Sequence, residues 1–190
     1  MMRWLLAALA LQFQLVAAAA GDPVWDYPHM NVAGYRVAHY RAPTPPTVPE
    51  GRRVDTAEVA KLVAQGDAVL VDVMPALLRD TGAGLSWIVL EERQHIPGSV
   101  WLPNVGLGQP EPEVVDWFER NLQQLTDGDQ DRPLLFYCVS DCWMAWNAVR
   151  RAYRLGFRNL LWYAEGSDGW AAAGNETVAA SPRPWLCRGG

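Results

Sequence analysis

Two cysteines, Cys138 and Cys142, carry the strongest chemical signal in this chain. A short apolar run, Leu134-Leu135-Phe136-Tyr137, ends at Cys138, and Cys142 opens an amphipathic segment with helical spacing. A thiol at a strand-to-helix junction lies among backbone N–H groups that have no helical partner, at the positive end of a helix dipole. That setting favours the thiolate, the nucleophilic and metal-binding form of cysteine. The pattern raises the question of what Cys138 reacts with and what the second thiol does.

The elements around the pair are legible as an alternation. Asp55 or Thr56 caps a helix over 57–65, which Gly66 ends. Residues 68–73 form an apolar run suited to a buried parallel strand. Residues 74–94 are mixed, contain Gly82 and Gly84, and predict a loop with a helical turn. His95-Ile96-Pro97-Gly98-Ser99 reads as a turn and 100–102 as a strand. Val114, Val115, Trp117, Phe118, Leu122 and Leu125 fall at helical spacing over 111–125. A buried strand over 133–137, a helix over 142–155 stopped by Gly156, and a last strand over 159–163 complete the series. Strands separated by helices argue for an α/β fold with a mostly parallel sheet and helices on both faces. Active crevices of such sheets open at the carboxyl ends of the strands, where Cys138 stands.

Both ends of the chain carry other patterns. Met1, Met2 and Arg3 form a basic start, an apolar run follows, and small residues lie at 17–20. This is the pattern of a signal peptide cleaved near Ala20, so the chain is expected to be exported, to the periplasm, without stable insertion in a membrane. Losing Arg3 takes the formal charge from −5 to −6, with no basic stripe to bind nucleic acid. About 170 residues remain, enough for one core. Residues 21–51 are rich in proline and read as an extended arm or plain linker, with a short edge strand over 35–40. The folded domain is expected over 52–176, with a tail over 177–190.

The order of short motifs resembles the rhodanese family of sulfurtransferases. Val69-Leu70-Val71-Asp72-Val73, the turn at His95, Leu135-Phe136-Tyr137-Cys138, Gly156-Phe157-Arg158-Asn159-Leu160 and Tyr163-Ala164-Glu165-Gly166 with Trp170 carry it over 55–170. More narrowly, Cys142-Trp143-Met144 with Trp146-Asn147, and Trp162-Tyr163 with Glu165-Gly166, Asp168-Gly169-Trp170, look like exported rhodanese-like proteins named for a CXXCW motif. Those are associated with pyrroloquinoline-quinone (PQQ)-dependent alcohol catabolism. The spacing here, C-x-x-x-C-W, is one residue longer.

The resemblance implies a three-layer fold in which Cys138 accepts a sulfane sulfur as a persulfide. Val139, Ser140, Asp141 and Trp143 would form the substrate-binding loop, its successive N–H groups directed at the sulfur. Asp72 and His95 fall at structural positions of the family. Active members commonly close the loop with an arginine that holds an anionic donor; Trp143 stands there, and Asp141 adds a negative charge that repels anions. The second thiol allows a Cys138–Cys142 disulfide, a persulfide resolved by Cys142, or a structural pair. Expected partners are a small sulfur compound or a protein thiol, and a periplasmic PQQ-dependent dehydrogenase or its cytochrome. The alternative is a non-catalytic module serving the same quinoprotein system. No cofactor and no metal site is expected: the histidines other than His95 lie in the arm, and Asp127-Gly128-Asp129 lacks the closing glutamate of a calcium loop. The ten tryptophans read as core packing, or as an aromatic wall around the thiol pocket. Glu165 and Asp168 follow a strand end, within reach of the pocket mouth, with a helix cap the expected role of Asp168.

Overall fold

A computed structural model describes residues 27–185. In chain order its elements are β1 (Arg52–Arg53), α1 (Thr56–Gln65), β2 (Val69–Asp72), β3 (Leu77–Asp80), β4 (Leu85–Ile88), β5 (Arg93–His95), β6 (Val100–Trp101), α2 (Pro112–Leu125), β7 (Leu134–Tyr137), α3 (Trp143–Arg154), β8 (Leu160–Tyr163), α4 (Gly166–Ala172) and β9 (Val178–Ala180). Five strands form a parallel sheet in the order β1-β8-β7-β2-β6, as the α/β alternation requires. β2, β7 and β8 lie in its interior and are almost wholly buried.

Burial on both faces explains their unbroken apolar sequences, and the two-residue side-chain period divides them between two cores. Val71, Leu134, Phe136, Cys138, Leu160 and Trp162 pack with α2 and α3. Leu70, Leu135, Tyr137, Leu161 and Tyr163 pack on the other face with Val59 of α1 and Trp170 of α4. Asp55 caps α1 by accepting from the N–H of Glu58, and Gly66 ends it in the left-handed conformation at φ 68°.

Three stretches differ from the sequence expectation. Residues 74–94 hold no helical turn: β3 and β4 make an antiparallel hairpin, and β5 pairs with β9. Gly82 and Gly84, at φ 80° and 111°, supply the left-handed backbone that closes the hairpin. Residues 35–40 form no edge strand; only Met30 and Arg36 bridge. The backbone there bonds instead to a side chain, the N–H of Arg36 donating to Asn147 Oδ1 at 3.0 Å and its carbonyl accepting from Asn147 Nδ2 at 2.8 Å. Residues 177–185 belong to the fold. β9 extends β5, Arg183 donates its N–H to the Trp101 carbonyl, and Trp185 stacks on Trp117 with ring centroids 5.4 Å apart. The segment expected as a signal peptide, and Cys187, lie outside the described residues.

The arm is fastened along α3. Trp143 Nε1 donates to the Pro43 carbonyl and Trp146 Nε1 to that of Thr47, while Arg150 pairs with Glu50 at 2.9 Å. Arg36 gathers the carbonyls of Pro28, Ala38 and His39 and lies 4.9 Å from the Trp143 ring. No described helix is long and apolar enough to cross a membrane.

Candidate functional site

Cys138 continues the face of Leu134 and Phe136 one residue beyond β7, so its side chain turns into the α2–α3 core and is 0% exposed. The chain then curls through Val139 and Ser140 and turns at Asp141, which takes the left-handed conformation at φ 52°. That turn brings Cys142 round to the N-cap of α3. Asp141 suits the position because short polar side chains tolerate this conformation better than branched ones. The two sulfurs are hydrogen-bonded at 2.7 Å. Sequence spacing alone placed them near each other; the left-handed residue makes them touch.

The two thiols are electrostatically unlike. Burial pushes Cys138 well up, and the neighbouring Cys142 sulfur and Asp72 add to the rise. Cys142 is lowered, first by its hydrogen bond with Cys138, then by the N–H groups of Met144 and Val139, and by the charge of Arg41. Cys142 is therefore the thiol favoured to carry charge, and the nest of N–H groups expected around Cys138 serves the second sulfur as well. Of the two, Cys138 is the thiol that burial disposes to keep its proton.

Strand-end charges support the loop from below. Asp72, fully buried, accepts from Arg93 Nε at 2.8 Å and Nη2 at 3.1 Å and from the N–H of Met74 at 3.0 Å. Burial pushes its carboxyl up while these donors pull it down; the same contact raises Arg93. Arg93 also donates to the Cys138 carbonyl at 3.2 Å and to Ser167 Oγ at 3.0 Å. His95 Nδ1 lies 3.8 Å from Asp72, and burial lowers this imidazole. Gly166, at φ 60°, lets the start of α4 touch the loop: an added Cβ would lie 2.6 Å from the Val139 carbonyl carbon. Ser167 can then donate its N–H to the Cys138 carbonyl at 3.0 Å. Asp168 is not a helix cap; its Oδ2 accepts from Ser140 Oγ at 3.0 Å and N–H at 3.3 Å. Glu165 turns away to pair with Arg53.

The other side of the loop is covered by the arm. Trp143 donates its N–H to the Tyr40 carbonyl at 2.9 Å, Ala42 donates to the Asp141 carbonyl at 3.0 Å, and Arg41 bridges Cys142. The Trp143 indole, in the place of the expected anion-holding arginine, faces Tyr27, Trp146 and Arg36 rather than the thiols. The loop residues Val139, Ser140, Asp141 and Trp143 thus surround the pair by backbone, while the Trp143 ring anchors the arm.

One approach to Cys138 runs through Met74, whose Sδ is 3.7 Å from the Cys138 sulfur. Met74 also lines a cavity of about 590 Å³ between the β3–β4 hairpin, β5 and α4. Among the described residues no three His, Cys, Asp or Glu side chains converge to hold a metal ion. Sequence reasoning missed Arg93, Met74 and the arm residues Tyr40 and Arg41. Arg93 was findable: it lies two residues before His95 on one strand, so both share the face that reaches Asp72. Met74 and the arm contacts leave no such periodic trace.

A family model described as rhodanese-like domain matches residues 55–173. Similar solved structures include a rhodanese-like domain of the Anabaena sp Alr3790 protein, at 19% identity and TM-score 0.46, covering 67% of this chain and 79% of that one. The human single domain sulfurtransferase TSTD1 is similar at 22% identity and TM-score 0.40, covering 64% of this chain and 96% of that one. The polysulfide-sulfur transferase homodimer of Wolinella succinogenes is similar at 15% identity and TM-score 0.44, covering 69% and 80%. No curated protein sequence matches the chain. The family model spans most of the residues that make the parallel sheet, the strand-end aspartate and the curled cysteine loop, and with them this chain belongs to the rhodanese-like domain family.

Proposed function

We propose that the protein is an exported sulfur-handling domain in which Cys138 receives a sulfane sulfur and Cys142 resolves the persulfide. The observation that carries this reading is the 2.7 Å contact between the buried sulfurs of Cys138 and Cys142. Cys138, relieved of its proton by Cys142, attacks the outer sulfur of a sulfane donor; the donor leaves with the electron pair of the broken S–S bond and takes the proton from Cys142, which returns to thiolate. The Cys142 thiolate then attacks Cys138 Sγ. A Cys138–Cys142 bond forms, the persulfide bond breaks, and the sulfane sulfur leaves as hydrosulfide. Two thiols are oxidised, one sulfane sulfur is reduced, and an external thiol restores the pair. Anionic thiosulfate is a poor donor here, because Trp143 replaces an anion-holding arginine and Asp141 stands in the loop.

The cellular setting rests on the sequence: the pattern of the first twenty residues supports export to the periplasm, and the resemblance supports service to PQQ-dependent alcohol catabolism beside a quinoprotein dehydrogenase or its cytochrome. The non-catalytic alternative draws on the burial of both sulfurs and the arm across the loop.

Intact mass after incubation with sulfane donors separates the two readings. The reduced Cys187→Ser protein, treated with an organic persulfide and quenched by alkylation, is expected to lose two hydrogens as the disulfide forms and to release sulfide. Cys142→Ser is expected to stop at one added sulfur, and Cys138→Ser to gain none. A protein that neither gains sulfur nor forms the disulfide under any donor is the non-catalytic module.

A further inference from the structure

The cavity beside Met74 has features that the thiol chemistry alone does not require. Its outer wall is apolar and stands in solvent: Leu77 is 38% exposed, Val89 40% and Leu90 80%. A small sulfur compound needs no such wall, and exposed leucines gathered at one mouth mark an interaction site. Glu91, Glu92 and Asp168 line the same cavity, against one cation, Arg93, which Asp72 neutralises. The mouth is therefore both apolar and acidic. Among the described residues, residues 89–92 take no backbone–backbone hydrogen bond, so their amides and carbonyls are open to an incoming chain. Extended peptides bind in this way, by main-chain bonds with alternate side chains in pockets.

We infer that the cavity receives an extended segment of a partner protein that carries a cysteine among apolar and basic residues, with Met74 as the movable wall between that cysteine and Cys138. The inference rests on the reading of the thiol pair above and names what restores it. Methionine suits the wall, since its unbranched side chain moves between rotamers at little cost. With Met74 displaced, the partner thiolate attacks Cys138 Sγ of the disulfide. A bond forms between the partner sulfur and Cys138, the Cys138–Cys142 bond breaks, and Cys142 leaves as thiolate with the electron pair. A second partner thiol then attacks the partner sulfur of the mixed disulfide and releases Cys138, which takes up a proton. Two electrons pass from the partner dithiol to the pair.

The test compares two synthetic peptides on the oxidised full chain: a single cysteine flanked by leucines and lysines, and the same peptide with glutamates for the lysines. Loss of the Cys138–Cys142 disulfide is followed by intact mass. The lysine peptide is expected to react about tenfold faster at low salt, the preference fading as added salt shortens the Debye length. Glu91→Lys with Glu92→Lys is expected to invert the ratio. Equal rates with both peptides, or a ratio that the double variant leaves alone, overturns the partner inference even where dithiothreitol reduces the disulfide normally. Failure of the disulfide to form under any oxidant overturns the thiol-pair reading, and this inference with it.

Discussion

The division of labour between two thiols is set at single residues. A lone cysteine at the end of β7 would have a pKa raised by its apolar surroundings and little nucleophilic power. The second sulfur raises Cys138 further and is itself favoured to carry the charge, because its hydrogen bond with Cys138 lowers its own pKa. Truncating Cys138→Ala removes the hydrogen bond that contributes most to the low Cys142 pKa. The expected result is a Cys142 titration displaced to higher pH, read from the ultraviolet thiolate absorbance in a Cys187→Ser background. An unchanged titration would show that the N–H groups of Met144 and Val139 suffice. Asp72 acts one step further out. Asp72→Asn leaves the Arg93 guanidinium without its charge partner below the loop, and breaking a buried pair of this kind costs about 3–5 kcal/mol. Urea denaturation is expected to show a loss of that size, accompanied by slower disulfide formation as the Cys138 carbonyl loses its support.

At the scale of elements, the arm and α3 behave as one unit. Asn147 is their central fastening: it accepts from Arg36 and donates to the carbonyls of Arg36 and Gly106, and it is fully buried. Asn147→Ala orphans those backbone groups at about 1–3 kcal/mol each. The expected outcome is lower stability by denaturation together with cleavage of the arm in limited proteolysis, near residues 38–44. Alkylation of Cys142 should then quicken, since the arm covers its side of the loop. A variant that loses stability while keeping Cys142 slow to alkylate would mean that the arm is only a brace. Gly106 shows how tight this packing is: an added Cβ would lie 2.8 Å from the Met144 Cα.

For the molecule as a whole, the fold is closed by residues that follow the last expected helix. A chain ending at residue 176 lacks β9 and Trp185, which leaves β5 without its partner and one face of Trp117 uncovered. Because β5 carries Arg93 and His95, this truncation is expected to lower Tm and to loosen the cysteine loop, visible as faster alkylation of both thiols. Stability should also fall on acidification through the ordinary histidine range. His95 is held neutral by burial, so its folded pKa lies below the unfolded value. The unfolded chain then binds the proton first, and stability present at pH of about 6.5 and above declines as pH drops below it. Replacing His95 by glutamine is expected to flatten that part of the profile.

The sequence by itself determined the sheet and the location of the thiols. Apolar runs such as Leu134 to Tyr137, punctuated by capped helices, can bury themselves on both faces only as interior parallel strands, and a strand-end cysteine then falls at the crevice. Local pattern extends that far because secondary structure is set by neighbours a few residues away. The hairpin over β3 and β4 was missed because its two glycines signal a turn without saying what flanks it. Only the tertiary structure decided which thiol is favoured to carry charge, what covers the loop and what lies beside it. Arm residues 36–47 meet α3 across about a hundred positions of sequence, and Arg93 meets Asp72 across twenty-one. Those contacts are between side chains and backbone groups brought together by packing, and no periodicity in the chain records them. Burial and hydrogen bonding at 2.7 Å, rather than residue type, make Cys138 and Cys142 different.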